Sequence, residues 1–237
     1  MKLAVVICIA LGAGCRGDDY LSYTWDDRVD LCSEAVDDLT QTLDFGRIEK
    51  QFAQAEQNGW VSLIHAHKPD ETIATATVER ILDAADAHHL QYVTFDQLTP
   101  DGPGGAGVAF AFDDDDTTGW VGLRDMFMAH GARITFFVTR WYEQSPDALA
   151  DIATLASDGH DIEAHSHDHV DATLYVHDHS LDDYLNDQVL PSIQDEIDAG
   201  YHPTTFAFPF GSTIPAISAA VLQYIPRVRT TPGPCPY

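Results

Sequence analysis

Short apolar runs alternate along this chain with longer segments whose apolar residues are spaced as on one face of a helix. The short segments predict a buried strand at residues 60–64 and further strands at residues 91–95, 108–112, 134–138, 161–164, 204–208 and 227–230. The longer segments predict helices at residues 38–57, 72–88, 120–130, 146–157, 181–199 and 214–224. Regular alternation of strands and helices with short links favours a parallel α/β fold.

Residues that break regular structure support several of these boundaries. Gly59, Gly131 and Gly159 each follow a predicted helix, where a glycine commonly marks the end. Pro191 interrupts the apolar pattern of the long predicted helix, because a proline lacks the backbone donor that a helix interior requires. The glycine-rich stretch at residues 101–107 predicts a loop or hinge.

The candidate functional residues share one position in this pattern, because each follows directly after a predicted strand. They are His65, Asp113, Asp114, His165, His169 and residues 209–211. In parallel α/β folds, functional residues collect at the carboxyl ends of the strands. We therefore expect these residues to contribute to one site.

The residue types in this set are those of an open metal site. One carboxylate and two imidazoles can hold a divalent cation and leave a coordination position for water. Asp113 and Asp114 can divide the work, since successive side chains on a strand point in different directions. We place His165 and His169 on one helical turn, from which both rings can converge on one ion. Without these histidines, the acidic run at residues 113–116 would predict a solvated loop or a calcium-attracting turn.

Composition narrows the class of partner. The chain has 237 residues, of which 45% are hydrophobic, and this suits one globular domain with a full core. It carries 12 basic and 38 acidic residues, which give a formal net charge of −26. Nucleic acid and anionic lipid headgroups would repel such a chain, whereas an uncharged glycan would not be disfavoured. We interpret the acidic residues as a solvated surface.

Residues 1–15 have the pattern of an export signal. Lys2 precedes an apolar run at residues 3–13 that is too short to span a bilayer as a helix. Small residues followed by Cys15 resemble the cleavage and lipidation signal of bacterial lipoproteins, although Gly12 stands where a leucine is usual. We expect an exported protein, periplasmic or extracellular, that attaches to the bacterial cell envelope only if Cys15 is lipidated.

Three segments resemble, in order, the motifs of the NodB-type polysaccharide deacetylases, which form carbohydrate esterase family 4. They are residues 111–115, 159–169 and 206–211. Residues 59–98 resemble the strand, helix and strand that end the family's domain, yet they precede the first motif. The resemblance implies an α/β fold, a distorted (β/α) barrel whose chain order is circularly permuted. A truncated tandem of two domains is the rival explanation.

The resemblance also sets the expected domain organisation. Residues 59–237 would form the catalytic domain, and residues 16–58 would be an irregular or helical segment before it. Circular permutation is tolerated where the termini are close and exposed. Cys32 and Cys235 would then flank the new chain break, which makes a disulfide between them attractive in an exported protein.

The family motifs imply roles for four of the candidate residues. Asp114, His165 and His169 would hold the metal, with zinc as the expected ion and cobalt or another divalent ion as alternatives. Asp113 would be the general base that takes a proton from a metal-bound water. Hydrolysis of an amide needs such a nucleophile, and it needs stabilisation of the developing oxyanion as well.

The motifs also imply a general acid that protonates the leaving amine. His65 matches the family position for this role. His67 is a second candidate for this role. It follows the same predicted strand two residues later, and histidine is suited to proton transfer.

The chain departs from the family motifs in two places. Ala207 stands where relatives often carry an arginine that steadies the base, and Arg229 or Arg227 is a candidate to replace it. Asp115 stands in the place of a glycine, so its backbone must avoid a conformation that only glycine adopts at low cost.

These features predict a metal-dependent hydrolase that removes N-acetyl groups from a polysaccharide or oligosaccharide of the GlcNAc type. An O-acetyl esterase acting on xylan or a similar polymer is one alternative, since the same attack by water serves both reactions. A catalytically inactive glycan-binding protein is another, because the departures at Ala207 and Asp115 allow it. An acetylated glycan is the expected partner, and nucleic acid is not.

Overall fold

A ten-stranded sheet forms the centre of the computed structural model, which describes residues 21–232. Its strands in chain order are β1 (Ser22–Tyr23), β2 (Asp30–Cys32), β3 (Glu34–Ala35), β4 (Val61–Ala66), β5 (Gln91–Tyr92), β6 (Gly107–Asp114), β7 (Thr135–Val138), β8 (Asp161–Ala164), β9 (Thr205–Ala207) and β10 (Arg227–Thr230). The strands predicted at residues 161–164 and 227–230 match the structure at both ends.

Helices follow most of these strands. They are α1 (Phe45–Asn58), α2 (Thr75–Ala87), α3 (Thr117–Gly122), α4 (Arg124–His130), α5 (Pro146–Ser157), α6 (Ala172–Asp178), α7 (Leu181–Tyr184), α8 (Leu190–Asp198) and α9 (Pro215–Val221). A π-helical turn, Leu185–Val189, joins α7 to α8. None of the helices within residues 21–232 has the length and apolar character needed to cross a bilayer.

The sheet curves into a nearly closed barrel. Neighbouring strands follow chain order from β4 through β6, β7, β8 and β9 to β10, and each of these pairs is parallel. Strand β2 pairs in parallel with β10, and β3 pairs in parallel with β4, so the segment that contains both joins the two edges. The expected α/β barrel is therefore confirmed.

The segment before residue 59 differs from its prediction as an irregular or helical region outside the catalytic domain. Strands β2 and β3 complete the barrel, and α1 contacts β4 and β6. These strands are three and two residues long, which is too short for a periodic pattern to be read from the sequence. The barrel thus includes residues from β2 onward, which precede the domain boundary predicted at residue 59.

Two predictions fall partly outside the described residues. The expected export signal at residues 1–15 lies outside residues 21–232, and so does Cys235. Cys32 is disulfide-bonded. The pairing of Cys32 with Cys235 stays a prediction.

Helix α1 begins later than predicted for a local reason. Its first residue is Phe45, because Asp38 instead accepts hydrogen bonds from the backbone N–H of Ala74 and the hydroxyl of Thr77. These bonds tie the preceding residues to the start of α2 and leave them outside the helix. The helix ends as predicted before Gly59, whose left-handed backbone (φ 69°) suits that position.

Alternation along the strands divides the core into a layer beneath the helices and a layer inside the barrel. In β6, Phe110 and Phe112 face the helices, whereas Ala109 and Ala111 face the barrel interior. The next residue on the interior face is Asp113, which is buried. The same alternation therefore carries the strand from an apolar core to a polar end.

Candidate active site

Three side chains from different strands meet at the carboxyl end of the barrel. His65 comes from β4, Asp113 from β6 and Arg229 from β10, and all three line a cavity of about 320 Å³. Phe208 and Phe210 form part of its wall. Of the strand-end residues singled out in the sequence, His65, Asp113 and His165 thus line one cleft.

Asp113 forms a buried ion pair with Arg229. The guanidinium Nη2 lies 2.5 Å from Oδ2 of Asp113, and the two side chains are 1% and 3% exposed. Burial raises the pKa of Asp113, but the charge of Arg229 outweighs it and lowers the pKa to about 2. Its second oxygen, Oδ1, has no hydrogen-bond partner within residues 21–232, so an ionised carboxylate oxygen is left for a molecule in the cleft.

Arg229 supplies the positive charge that the third motif lacks. It lies directly beside Ala207 in the register of β10 and β9. Of the two candidates named from the sequence, Arg227 lies at the other end of β10, where it donates to the hydroxyl of Thr204 and the carbonyl of Asp96. The interior position of Arg229 thus distinguishes the two arginines.

Asp114, His165 and His169 form a second cluster beside this ion pair, and one ligand atom from each lies within 4.8 Å of the others. Oδ1 of Asp114 is 2.9 Å from Nε2 of His169 and 3.6 Å from Nε2 of His165. Nδ1 of His165 donates to the carbonyl of Ala207, which leaves the Nε2 lone pair facing Asp114. This arrangement is the one expected of metal ligands.

The cluster passes a test for a divalent cation. Oδ1 of Asp114 is buried and accepts no well-aligned hydrogen bond from the described residues, although two imidazoles lie beside it. Burial raises the pKa of Asp114, but the interactions with His165 and His169 outweigh it and hold the pKa well below its usual value. One carboxylate and two imidazoles with facing lone pairs fit zinc or a similar cation.

The loop that carries the histidines is not the helical turn predicted from their spacing. Residues 165–171 have no helical structure, and Ser166 and His169 have left-handed backbones with φ of 69° and 58°. Asp114 also has a positive φ, 88°, whereas the residue predicted to need care, Asp115, does not. Such conformations cost about 1–3 kcal/mol each and cluster at functional sites. The local cost is the physical reason why spacing alone gave the wrong geometry.

Gln188 holds this loop in place and was missed from the sequence. Its side-chain oxygen accepts from the hydroxyl of Ser166 and the N–H of Asp168, and its amide nitrogen donates to the Asp168 carboxylate. Gln188 lies in the π-helical turn. Pro191 follows shortly after it, and the backbone donor that this proline lacks disturbs the regular helix. In the sequence, Pro191 is the one indication that the helix is irregular near Gln188.

His65 and His67 lie next to each other with ring centroids 5.6 Å apart, but their surroundings differ. His65 is 2% exposed, and its Nδ1 lies 2.8 Å from the hydroxyl of Ser33. Burial and the charge of Arg229 lower the pKa of His65 to about 3. His65 is therefore neutral at physiological pH.

His67 pairs with Asp37, at 2.6 Å between Nδ1 and Oδ2. Burial lowers the pKa of His67, but the hydrogen bond to Asp37 and the charges of Asp113 and Asp37 outweigh it and raise the pKa to about 9. Asp37 was not identified from the sequence, because it follows strands too short to recognise. Ser33, the partner of His65, was missed for the same reason.

The charge of Asp115 is balanced at the rim of the site. Lys68 lies 3.3 Å from one of its oxygens, and Arg140 lies 3.2 Å from the other. Asp115, in the acidic run at residues 113–116, is thus paired with two basic side chains.

The third motif forms a tight turn against β10. Gly211 has a φ of 62°, and a Cβ there would lie 2.0 Å from Oγ1 of Thr231, so only glycine fits. Phe210 also has a positive φ, 58°, and its side chain is 67% exposed. Its ring centroid is 4.8 Å from that of His169. The turn therefore presents an aromatic face beside the candidate metal ligands.

A family model described as polysaccharide deacetylase matches residues 101–227, which is more than half of the chain. The chain belongs to the polysaccharide deacetylase family. The expected NodB-type family is thereby confirmed, as is the enzyme class, a polysaccharide deacetylase that hydrolyses carbon–nitrogen bonds other than peptide bonds. No curated protein sequence matches the chain significantly.

Solved structures show similar folds. IcaB from Ammonifex degensii is 15% identical, with a TM-score of 0.58 over 74% of this chain and 86% of that one. A de-N-acetylase from Aggregatibacter actinomycetemcomitans is 12% identical, with a TM-score of 0.56 over 69% and 84%. The BpsB deacetylase domain from Bordetella bronchiseptica is 14% identical, with a TM-score of 0.52 over 91% and 98%. These similarities establish the fold of the deacetylase, while circular permutation stays a prediction.

Proposed function

We propose that this deacetylase removes N-acetyl groups from a polysaccharide or oligosaccharide of the GlcNAc type, with a divalent cation held by Asp114, His165 and His169. The observation on which the proposal rests is the convergence of their three ligand atoms within 4.8 Å. An ionised carboxylate, Asp113, lies directly beside them with one oxygen unpartnered among the described residues. Asp114 can therefore bind the cation while Asp113 accepts a proton.

The donor set supports zinc as the ion, with cobalt or another divalent ion as alternatives. When bound, the cation would polarise the acetyl carbonyl and lower the pKa of a water molecule. Asp113 then accepts a proton from the attacking water, and the charge of Arg229 keeps it ionised before the reaction. A histidine at the end of β4 provides the proton that the leaving amine requires.

The cleft and the charge of the protein support a neutral sugar as substrate. A cavity of about 320 Å³ lies at the lower end of the range for small-ligand sites, so it suits one sugar unit of a longer chain. The exposed ring of Phe210 provides an apolar face at its edge. With a formal net charge of −26, the protein would disfavour acidic polymers.

We also propose that the protein is exported, with lipid attachment at Cys15 as the only route to the membrane. Residues 1–15 have the pattern of an export signal, and the disulfide bond of Cys32 suits an oxidising compartment. Mass spectrometry of the mature protein from a bacterial host tests this proposal. Retention of the residues before Cys15 in the mature protein would contradict it.

Acetate release from chito-oligosaccharides, measured with and without a chelator, tests the activity. We expect release that the chelator stops and that added zinc or cobalt restores. Asp113→Asn should retain the metal, measured by elemental analysis, and lose turnover, whereas His169→Ala should lose both. Release from acetylated xylan alone would indicate an O-acetyl esterase. Metal binding without release from either polymer would indicate a glycan-binding protein.

A further inference from the structure

The end of β4 brings two histidines to one cleft, and the family position assigns the proton-donating role to the first of them. His65 and His67 are two residues apart, both line the cavity, and both lie near Asp113. Their hydrogen-bond partners differ in kind. His65 contacts a hydroxyl, whereas His67 contacts a carboxylate.

A chain of hydrogen bonds fixes His65 in its neutral form. Nη1 of Arg229 lies 3.4 Å from the hydroxyl oxygen of Ser33, and it can only donate. The Ser33 hydroxyl therefore has its proton free to donate to Nδ1 of His65, 2.8 Å away. Nδ1 then acts as an acceptor, and the single ring proton is on Nε2. A buried imidazole beside a guanidinium and without a carboxylate partner is poorly suited to gain a second proton.

The opposite arrangement holds for His67. Oδ1 of Asp37 accepts from the backbone N–H of His67 and from the hydroxyl of Thr72, and its Oδ2 lies 2.6 Å from Nδ1 of His67. The carboxylate therefore receives donors only, which requires a proton on Nδ1. Nε2 lies 4.0 Å from Oδ2 of Asp113, on the side of the cleft. The ring is thus located between two carboxylates.

The charged groups around His67 favour its protonated form. Asp37 faces it from the segment after β3, and Asp113 and Asp114 face it from β6. His65 is the neighbouring titratable group on its own segment, and it is neutral. The pKa of His67 is raised to about 9 despite its partial burial, so the imidazolium is populated at neutral pH. Its side chain is 31% exposed, which leaves it open to a molecule in the cleft.

We propose that His67, held by Asp37, is the general acid that protonates the leaving amine, and that His65 acts as a neutral hydrogen-bond donor. The proposal rests on the proposed deacetylation. It replaces the assignment of His65 as the acid, which followed from family position alone. Nε2–H of His65 would instead position the acetyl group or stabilise charge that develops on its oxygen.

The proton balance closes with these roles. Asp113 removes a proton from the attacking water, and the oxygen of that water forms a bond to the acetyl carbon. The bond from carbon to nitrogen then breaks, its electron pair stays on nitrogen, and nitrogen takes a proton from Nε2 of His67. The products are acetic acid and a free amine. Transfer of the proton from Asp113 to His67 restores both groups; Nε2 of His67 lies 4.0 Å from Oδ2 of the same carboxylate.

Substrates that differ in their leaving group test the assignment. The wild type, His67→Gln and His65→Gln are compared on chito-oligosaccharides and on 4-nitrophenyl acetate, whose phenolate leaves without a proton. His67→Gln should lose activity on the amide about 10²-fold or more beyond its loss on the ester. His65→Gln should lose activity on both substrates by similar factors. Metal content, measured for each variant, shows whether the site is intact.

The pH dependence provides a second readout. Activity of the wild type on the amide should fall as the pH rises above about 9, as the proton of His67 is lost. Asp37→Asn removes the carboxylate partner, so this fall should begin at lower pH, and His65→Gln should leave its position unchanged. A leaving-group-selective loss in His65→Gln, or equal losses on both substrates in His67→Gln, would overturn the assignment. A wild type that is inactive on chito-oligosaccharides would instead overturn the proposed function and, with it, this assignment.

Discussion

Arg229 and Ala207 are direct neighbours in the register of two adjacent strands, and Arg229 binds the buried carboxylate of Asp113. In the family motif an arginine often occupies the position of Ala207. In this chain the positive charge comes from the next strand at the same level of the barrel. The small side chain of Ala207, which is fully buried, leaves the space that the guanidinium requires.

Arg229→Ala should therefore reduce both stability and acetate release. The change leaves Asp113 buried without its charge partner, which costs about 3–5 kcal/mol of unfolding free energy. Adding Ala207→Arg to that variant should recover part of both losses, because the new guanidinium starts one strand away. Urea denaturation and acetate release provide the two measurements.

The single change Ala207→Arg serves as the control for this pair. It should destabilise the wild type, because the interior at this level is already filled by Arg229. A double variant no better than Arg229→Ala in either measurement would show that the two positions are not interchangeable.

Gln188 connects the π-helical turn to the loop that carries His165 and His169. Its side chain is 2% exposed and binds both Ser166 and Asp168. Gln188→Ala should weaken metal affinity about 10–100-fold, because the loop loses the bonds that fix its left-handed residues. Competition with a chelator measures this affinity.

Gln194→Ala is the matched control. Gln194 lies in α8, which follows the π-helical turn directly; it is exposed, and among the described residues it donates only to Asp198. It should leave metal affinity unchanged. Equal affinities of Gln188→Ala and the wild type would show that the loop holds its shape without this contact.

The parts of the site that lie on long strands could be predicted from the sequence. The apolar residues of β6 are followed directly by Asp113 and Asp114, so the sequence predicts both the end of the strand and the functional carboxylates there. Arg229 is a candidate because it lies in the last predicted strand, which follows the third motif. The choice between Arg229 and Arg227 required the structure, in which Arg229 binds Asp113 whereas Arg227 donates to Thr204 and Asp96.

The parts of the site that depend on short or irregular segments could not be predicted. Ser33 and Asp37 belong to a segment that lies beside the site only because β2 and β3 pair with distant strands of the barrel. The positions of Ser166 and His169 depend on left-handed backbones, which residues other than glycine adopt only when tertiary contacts stabilise them. Periodicity and spacing carry no signal for either feature.

A partly buried carboxyl at the opposite end of the barrel makes stability depend on pH. Burial and the nearby charge of Asp96 raise the pKa of Asp161 to about 7, from a usual value of 3.8. Between these two values the folded protein binds more protons than the unfolded chain, so the free energy of unfolding falls as the pH rises. The fall is complete above about pH 7, where Asp161 is ionised in both states.

Asp161→Asn should remove this contribution. The change in unfolding free energy that the substitution causes, variant minus wild type, should be more favourable at pH 8 than at pH 5. Urea denaturation at both pH values measures it. Its side-chain oxygen can still accept from the N–H of Asp96 and the hydroxyl of Thr135. Asp83→Asn, on the exposed face of α2, is the control and should not change the difference between the two pH values. An identical difference for Asp161→Asn and the wild type would show that this carboxyl is not the source.

Phe210 offers a change that should affect substrate binding and little else. Its side chain is 67% exposed at the edge of the cleft, so Phe210→Ala should alter the free energy of unfolding by less than about 0.5 kcal/mol. Loss of an aromatic face for the sugar should raise KM for chito-oligosaccharides about 3–10-fold, as expected for about 0.5–1.5 kcal/mol of ring contact. Phe210→Tyr keeps that face and should retain the KM of the wild type. If Phe210→Ala leaves KM unchanged while kcat falls, the ring instead supports His169, whose ring centroid is 4.8 Å away.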